Sequence, residues 1–464
     1  MSPLYVIRSE VRATFLLAAP LALTQLAQMA MSFVDVMMIG RLGTAALAGG
    51  VLGSVLFFTP LLVCMGVVMA VNPMVAQAVG AGDGDEVGRS ARQGLWLAGA
   101  LGVPLVFLFG PSEWFLLAMG QEPEAASLAA DYLLAIRWGI IPNLLFTALR
   151  GFCEGLARPR PVLIITLIAV LLNVFGNWVL MYGKFGFPAL GLAGCGWSSS
   201  IVMAAMLVML VIYIRWSPGL KTYRVFAGLR KPDRAHFRTL FKLGWPIGAQ
   251  FGLEAGLFSA ATLIIGLFGT TALAAHQIAL NASSVTFMIP LGVGMAATVR
   301  VGQAAGAGDT LGSARAGWTA IAMGTAFMFG SAMLFWFKPE WVVWIYTGQN
   351  AAGPVDTAVV QLAAGLLAIA GVFQLFDGAQ ATAAGALRGL KDTRVPMLIG
   401  AASYWIVGIG IALLLGFGFG LGAKGIWWGL TSGLATAAVL LNARFRYLTG
   451  AVHRKRNEAI SSVE

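Results

Sequence analysis

Residues Phe241–Phe268 read FKLGWPIGAQFGLEAGLFSAATLIIGLF, a stretch long and apolar enough to cross a bilayer as one α-helix. Glu254 lies near its middle, with mostly apolar residues on either side. A charged side chain at that depth costs on the order of 2.5–3.5 kcal/mol on insertion scales. It is tolerated where it faces a polar cavity, has a partner or carries a proton. The stretch therefore predicts a membrane helix whose glutamate is either an ion or proton site or a neutral, hydrogen-bonded structural residue.

The composition places the whole chain in a membrane. Hydrophobic residues make up 59% of the 464 residues and charged residues 11%, which excludes an ordinary soluble protein of this length. The three cysteines, Cys64, Cys153 and Cys195, lie in or beside apolar stretches without paired spacing, which argues against a disulfide framework or a zinc site. The first apolar run is too long for a cleavable signal peptide, so we expect it to remain as the first span.

Apolar stretches recur along the chain and predict twelve membrane spans. Their approximate limits are 13–39, 46–79, 91–111, 127–149, 161–182, 192–214, 241–267, 273–304, 315–337, 356–386, 396–416 and 423–445. With the N-terminus in the cytoplasm, 25 of the 30 lysines and arginines fall on the cytoplasmic side. Both termini are therefore predicted to be cytoplasmic. The basic loop 215–242 is predicted to anchor this topology near anionic lipid rather than to bind nucleic acid.

Two segments of the chain recur at one offset of 226 residues. GTTALA at Gly269–Ala274 repeats GTAALA at Gly43–Ala48, and QAAGAGD at Gln303–Asp309 repeats QAVGAGD at Gln77–Asp83. Six spans in each half leave both halves in one orientation, which predicts two six-helix lobes related by a pseudo-two-fold axis along the membrane normal. The predicted division is an N-lobe at 1–214, a linker at 215–240, a C-lobe at 241–446 and a tail at 447–464. A cavity is expected at the seam between the lobes.

Three acids lie well inside predicted spans: Asp35, Glu254 and Asp377. Asn173 and Asn177 are one helical turn apart and share a face of the fifth span. A carboxylate with amide oxygens suits a small cation, although the asparagines could equally belong to an interhelical hydrogen-bonded cluster. We expect Glu254 and Asp377 to share one site, where two nearby acids in a low dielectric would disfavour simultaneous ionisation.

Motifs of other classes of protein are missing from the sequence. It contains no P-loop, metalloprotease motif or nucleophile elbow, so energy from ATP is not expected and an ion gradient remains as the source. His276, which opens the eighth span, is interpreted as a packing residue rather than a ligand. The chain is therefore not expected to be an enzyme or to carry a cofactor, and its coupling ion would be sodium or a proton.

The chain resembles the multidrug and toxic compound extrusion (MATE) family, NorM branch, over nearly its whole length. Three stretches carry the resemblance: SFVDVMMIGRLGTAALAG at 32–49, GTTALAAHQIALNASSVTFMIPLGVGMAATVRVGQAAGAG at 269–308 and ALRGLKDTRVP at 386–396. The resemblance implies a twelve-helix antiporter that exports cationic amphiphilic drugs in exchange for sodium ions or protons. It also implies a monomer in the bacterial inner membrane, in contact with lipid.

The resemblance assigns roles to individual positions. Glu254 and Asp377 match the cation-site carboxylates of the C-lobe, whereas the N-lobe cation cluster is matched by Asp35, Asn173 and Asn177. Two further positions, Gln277 and Asp356, resemble residues that approach the substrate in some members. The sequence departs from some members of the family at Phe287 and Phe373, which resemble positions where those members have tyrosines near the C-lobe cation. That departure favours protonation of the acids as an alternative to direct sodium coordination.

Two rival functions remain. A flippase for lipid-linked precursors would have a similar build, but its anionic substrate would call for arginines inside the spans, where the sequence predicts only acidic charges. An intramembrane enzyme would need a His, Ser or metal constellation at membrane depth, and the sequence predicts none.

Overall fold

The computed structural model of the chain describes residues 3–229, 232–347 and 357–461. Within these ranges the chain is almost entirely helical, and twelve helices are long and apolar enough to cross a membrane, as predicted. The first six are α1 Arg8–Gly40, α2 Thr44–Gly80, α3 Gly84–Leu108, α4 Pro123–Gly155, α5 Arg160–Tyr182 and α6 Gly191–Trp216. The last six are α7 Arg234–Gly266, α8 Thr270–Gly306, α9 Thr310–Phe337, α10 Thr357–Gly389, α11 Arg394–Gly418 and α12 Gly422–Gly450.

Some helices are longer than their candidate spans, and others change helix type. The α1 helix begins at Pro3 and the α12 helix runs on to Ser461. A 3₁₀ turn, Arg137–Gly139, interrupts α4, and two π-helical segments, Ala402–Gly408 and Leu414–Gly418, interrupt α11. Such π-helical segments inside an α-helix are often found at functional sites. Short helices lie between the spans at Ser112–Ala118, Pro218–Lys221 and Pro339–Thr347.

The repeated segments have the same local structure in both halves. Gly43 and Gly269 precede α2 and α8 with φ of 112° and 103°, a backbone conformation that favours glycine. Asp83 caps α3 by accepting a 2.9 Å hydrogen bond from the Glu86 amide, and Asp309 caps α9 through a 2.8 Å bond from the Gly312 amide. Equivalent residues therefore begin equivalent helices.

The chain forms two compact units. The N-terminal unit comprises Leu23–Gly252, and the C-terminal unit comprises the chain up to Ala22 together with Leu253 onward. Each has its own apolar core: Phe57, Leu149 and Phe152 are fully buried in the first, and Leu366 and Tyr404 in the second. The limits of the units fall inside α1 and α7, so the division into lobes at the 215–240 linker stays a prediction.

The beginning of α1 is tied to the C-terminal unit by an ion pair. Arg300 donates two hydrogen bonds of 2.7 Å to the carboxylate oxygens of Glu10. Both bonds come from Nη2, and Nε donates a third, of 3.2 Å, to Oε1; such charge-assisted hydrogen bonds are stronger than those between neutral groups.

Glycines allow α2 and α7 to pack with their backbones in close contact inside the N-terminal unit. A Cβ added at Gly244 would lie 2.1 Å from the Val67 carbonyl oxygen, and one added at Gly248 would lie 2.5 Å from the Val63 oxygen. Small residues at a helix–helix interface are typical of membrane packing, where van der Waals contact between helices replaces the hydrophobic effect.

We therefore expect Gly244→Ala to lower the stability of the protein by about 1–3 kcal/mol, because the helices must separate to admit the methyl group. The matched control is Gly99→Ala in α3, where an added Cβ would meet no atom within 4 Å. Thermal unfolding of the two purified variants in detergent measures the difference. Equal melting temperatures would contradict the close packing of α2 and α7.

The basic linker packs against α3. Asp233 accepts a 2.8 Å hydrogen bond from Arg89 Nε, and this bond holds the pKa of Asp233 below its usual value. His236 is buried between Glu86 Oε1 at 3.3 Å and Ser90 Oγ at 3.2 Å. Ser90 is fully buried, so this Ser–His–Glu arrangement is out of reach of a substrate and serves to hold the linker on α3.

Candidate functional site

Glu254 lies on α7 and Asp377 on α10, both within the C-terminal unit. Asp377 is 4% exposed, and Glu254 is half-buried. One turn from each acid, Phe258 and Phe373 contact one another in a T-shaped arrangement with ring centroids 6.2 Å apart. The faces of α7 and α10 that carry the acids therefore converge. We call Glu254 and Asp377 the two-acid site.

Phe373 belongs to an aromatic wall beside the two-acid site. Its ring is 2% exposed and lies 5.7 Å from the ring of Trp427, centroid to centroid. Packed between Phe258 and Trp427, it offers a ring but no hydroxyl oxygen next to Asp377.

Tyr404, in the first π-helical segment of α11, lies close to the two-acid site. Its hydroxyl accepts a 2.6 Å hydrogen bond from Gln380 Nε2 on α10. The neighbouring Trp405 donates a 3.2 Å hydrogen bond to the Leu253 carbonyl oxygen on α7. The π-helical segment thus joins α7 and α10 at the level of the acids.

His276 is buried and hydrogen-bonded at both ring nitrogens. The indole N–H of Trp427 donates to Nδ1 at 3.2 Å, and Nε2 lies 3.0 Å from Thr262 Oγ1. Because an indole nitrogen can only donate, Nδ1 is the acceptor and the imidazole is neutral. These contacts agree with the interpretation of His276 as a packing residue.

Asp35, Asn173 and Asn177 form a cluster in the N-terminal unit. Asn177 Nδ2 donates to Asp35 Oδ1 at 2.6 Å and lies 3.4 Å from Asn173 Oδ1. The two asparagines are buried, at 1% and 0% exposed, while Asp35 is half-buried. Asn177 Oδ1 has no hydrogen-bond partner among the described residues. The structure therefore brings together the three residues, which we call the Asp35 cluster.

Of the two predicted substrate contacts, Gln277 is among the residues that the structure describes. Gln277 is exposed on α8, and its carbonyl oxygen accepts a 2.9 Å hydrogen bond from Asn281 Nδ2. Asp356 lies outside the described residues.

Sequence reasoning missed two arginines that are buried within spans. Arg150 on α4 is 7% exposed and Arg388 on α10 is 9% exposed, which corrects the expectation that all interior charges are acidic. Each lies just beyond the predicted end of a span, at 149 and 386, so charge counting assigns both to the cytoplasmic side. A signal was present, since Ala148-Leu149-Arg150-Gly151 recurs as Ala386-Leu387-Arg388-Gly389.

Arg150 is neutralised inside its own unit. Its Nε donates to Glu154 Oε1 at 2.6 Å, and its Nη2 donates to Gln25 Oε1 at 2.8 Å. Glu154, 2% exposed, also accepts a 3.1 Å hydrogen bond from Asn72 Nδ2. A buried ion pair of this kind is costly to break, because removing one partner leaves an uncompensated charge.

Comparison with known proteins places the chain in a family. The MatE family model matches residues 20–179 and 246–414. A probable multidrug resistance protein NorM from Mesorhizobium japonicum is 43% identical over 442 residues, covering 94% of this chain and 94% of the relative. A protein of the same description from Pseudomonas aeruginosa is 41% identical over 440 residues, covering 95% and 90%.

Solved structures share the fold. The eukaryotic MATE transporter AtDTX14 superposes with a TM-score of 0.84 at 20% identity, covering 97% of this chain and 99% of that chain. An outward-facing multidrug resistance MATE family transporter of the MOP superfamily superposes with a TM-score of 0.85 at 18% identity, covering 96% of each chain. Together with the family match and with relatives more than 40% identical over nearly their whole length, these likenesses show that the chain belongs to the multidrug and toxic compound extrusion (MATE) family.

Proposed function

We propose that this protein is a multidrug efflux antiporter that exports cationic amphiphilic compounds in exchange for sodium ions or protons. The observation that carries the proposal is the two-acid site: two carboxyl groups on converging faces of membrane helices, beside a wall of aromatic rings. Its relatives in Mesorhizobium japonicum and Pseudomonas aeruginosa are described as multidrug resistance proteins, which agrees with this reading. In this proposal the chain is a transporter and not an enzyme.

The chemistry of the two-acid site suits a cation with a flat apolar body. Aromatic faces attract cations and bury apolar rings, while the carboxylates balance the positive charge. A coupling cation would seek the same carboxylates. Competition between drug and coupling cation for Glu254 and Asp377 therefore produces exchange without any further machinery.

The Asp35 cluster provides a second position for the coupling cation. The Asp35 carboxylate and the asparagine side chains supply oxygen ligands, the set that small hard cations prefer. A proton on Asp35 would be held by the same hydrogen-bonded network. Binding of the cation or of the proton neutralises a negative charge in the N-terminal unit. In an alternating-access cycle, this shifts the equilibrium between the inward-facing and outward-facing states by the difference in their cation affinities.

Arg150 gives the flippase alternative little support. A flippase would use them to bind an anionic lipid carrier, but the Arg150 guanidinium is already engaged by Glu154 and Gln25. We therefore retain drug export as the proposal.

Efflux from proteoliposomes tests the proposed function. Purified protein is reconstituted with ethidium, a planar cationic dye, and sodium and pH gradients are imposed separately. We expect dye movement against its gradient under at least one of the two, and the effective gradient identifies the coupling ion. Transport driven by neither gradient would overturn the antiport proposal.

We propose an orientation in the bacterial inner membrane with both termini and the basic linker in the cytoplasm, where the linker lies near anionic lipid. Lys221 in the linker and Lys184 between α5 and α6 are both exposed. On a background without the three native cysteines, Lys221→Cys and Lys184→Cys should react with an impermeant thiol reagent from opposite faces. Labelling of both from the same face would contradict this topology.

A further inference from the structure

One further feature recurs at the offset of 226 residues, at the start of α1 and of α7. RSEVRATF at 8–15 returns as RAHFRTLF at 234–241, so each segment begins with arginine, has a second arginine four residues later and ends with phenylalanine. Residues at positions i, i+4 and i+7 lie on one face of an α-helix. Both helices therefore present two arginines and then a phenylalanine on one face. We call these stretches the Arg-Arg-Phe segments.

The Arg-Arg-Phe segment of α7 lines an open groove in the N-terminal unit. The groove has a volume of about 710 Å³, with Trp96 of α3 on one side and the two arginines and the phenylalanine of the segment on the other. The indole N–H of Trp96 donates a 2.9 Å hydrogen bond to the Leu229 carbonyl oxygen of the linker, which fixes the position of the ring. Trp96 and Phe241 are both exposed. The groove is thus basic where α7 begins and aromatic further along the helix.

The Arg-Arg-Phe segment of α1 lines a second open groove, in the C-terminal unit. This groove has a volume of about 790 Å³, and its lining includes Arg8, Arg12 and Phe15 together with the aliphatic Val11 and Leu16. Phe15 and Leu16 are exposed. Each of the two units therefore has a groove in which the same three residue types follow one another along a helix.

The arginines of both grooves lack an acidic partner in the described part of the chain. Glu10, within the α1 segment, is engaged by Arg300, and Asp233, directly before the α7 segment, is engaged by Arg89. The four segment arginines are exposed and form no ion pair or side-chain hydrogen bond with any described residue. The nearby acids are thus used elsewhere, and the charge of each groove is left for a ligand.

We propose that each groove binds an anionic phospholipid, with its phosphate between the two arginines and an acyl chain along the exposed phenylalanine. A guanidinium matches a phosphate group, to which it donates two parallel hydrogen bonds. Basic pockets at the ends of membrane helices are recognised sites for anionic head groups.

The length of the segment fits such a lipid. Seven residues of α-helix rise about 10 Å, whereas the head-group layer of one leaflet is roughly 5–8 Å thick. The segment therefore reaches from the head groups to the acyl chains, and aromatic rings are typical of that level. A free phosphate ion would account for the arginines but not for the apolar side chains beside them. The inference does not depend on which compound the protein transports.

Lipid binding to the purified, delipidated protein tests the proposal. Short-chain phosphatidylglycerol is titrated against thermal unfolding in a neutral detergent, beside phosphatidylcholine with the same acyl chains and beside glycerol phosphate. We expect phosphatidylglycerol to raise the melting temperature and the other two to leave it nearly unaltered. Equal shifts with the two lipids would overturn the preference for an anionic head group. An equal shift with glycerol phosphate would mean that the grooves hold a free anion, and it would overturn a lipid site.

Substitution of the arginines locates the two sites. Arg234→Gln with Arg238→Gln, and separately Arg8→Gln with Arg12→Gln, should each remove one retained phosphatidylglycerol, counted by native mass spectrometry. All four substitutions together should remove both. Because these arginines have no partner to lose in the described structure, the variants should melt at the temperature of the unaltered protein when lipid is absent. Retention of the full lipid count by the fourfold variant would contradict the proposal.

A matched control separates a site from general attraction. Arg41→Gln with Arg394→Gln removes the same charge from two exposed arginines outside the grooves and should leave the lipid count unaltered. If this pair lowers the count as much as either groove pair, the arginines attract anionic lipid only through net charge, and the proposal is wrong.

Discussion

Glu254→Gln and Asp377→Asn are each expected to abolish drug resistance and dye efflux while the protein still accumulates in the membrane. Each substitution replaces a carboxyl group by an amide of nearly equal size, so the packing of α7 against α10 is retained. What is lost is a negative charge that both the drug and the coupling cation need in the proposed cycle. A loss of at least about 100-fold in efflux rate corresponds to roughly 2.7 kcal/mol, within the range expected for a buried charged partner.

Efflux in proteoliposomes, with membrane content measured by immunoblot, checks this expectation. The matched control is Glu113→Gln, which removes an exposed acid in the short helix after α3 and should leave efflux unaltered. If both amide variants of the two-acid site transport at the normal rate, the acids are structural and the proposal is wrong.

Asp35→Asn is expected to bind drug but fail to export it. Asn177 Nδ2 would still find an oxygen acceptor at position 35, so the hydrogen bond between α1 and α5 survives and only the charge disappears. The N-terminal unit would then remain in the state that otherwise follows cation binding. Because a ligand shifts an equilibrium only through its differential affinity, a permanently neutral position 35 removes the switch.

Drug binding and efflux should be measured on the same purified Asp35→Asn protein. Normal efflux, or loss of binding together with efflux, would count against a coupling role for the Asp35 cluster. Asn173→Ala and Asn177→Ala then separate the two chemistries. Strong loss of sodium-driven but not proton-driven efflux would indicate direct ion coordination, whereas equal effects on both would favour a proton on Asp35.

Local patterns in the sequence were sufficient for the helices and for three interior acids, Asp35, Glu254 and Asp377, but not for Glu154, which is buried beside Arg150. Each span is long and apolar enough to be recognised without reference to any other part of the chain, so all twelve could be predicted. Asn173 and Asn177 could be placed on one face of the fifth span, because residues four positions apart in an α-helix lie on the same side. The repeat put Gly43 and Gly269 at equivalent positions in the sequence, and both directly precede a helix in the structure.

Contacts between helices were decided only in the tertiary structure. Asp35 and Asn177 are 142 residues apart in sequence and 2.6 Å apart in space, and the packing of α7 against α10 brings Phe258 to Phe373. The direction of Arg388 was equally hidden. In sequence it is one more basic residue at the end of a span, and charge counting assigns it to the cytoplasm. Its side chain instead turns back along the helix, where Nε donates a 3.3 Å hydrogen bond to the Ala384 carbonyl oxygen, and the neighbouring helices α8, α9 and α12 pack against α10.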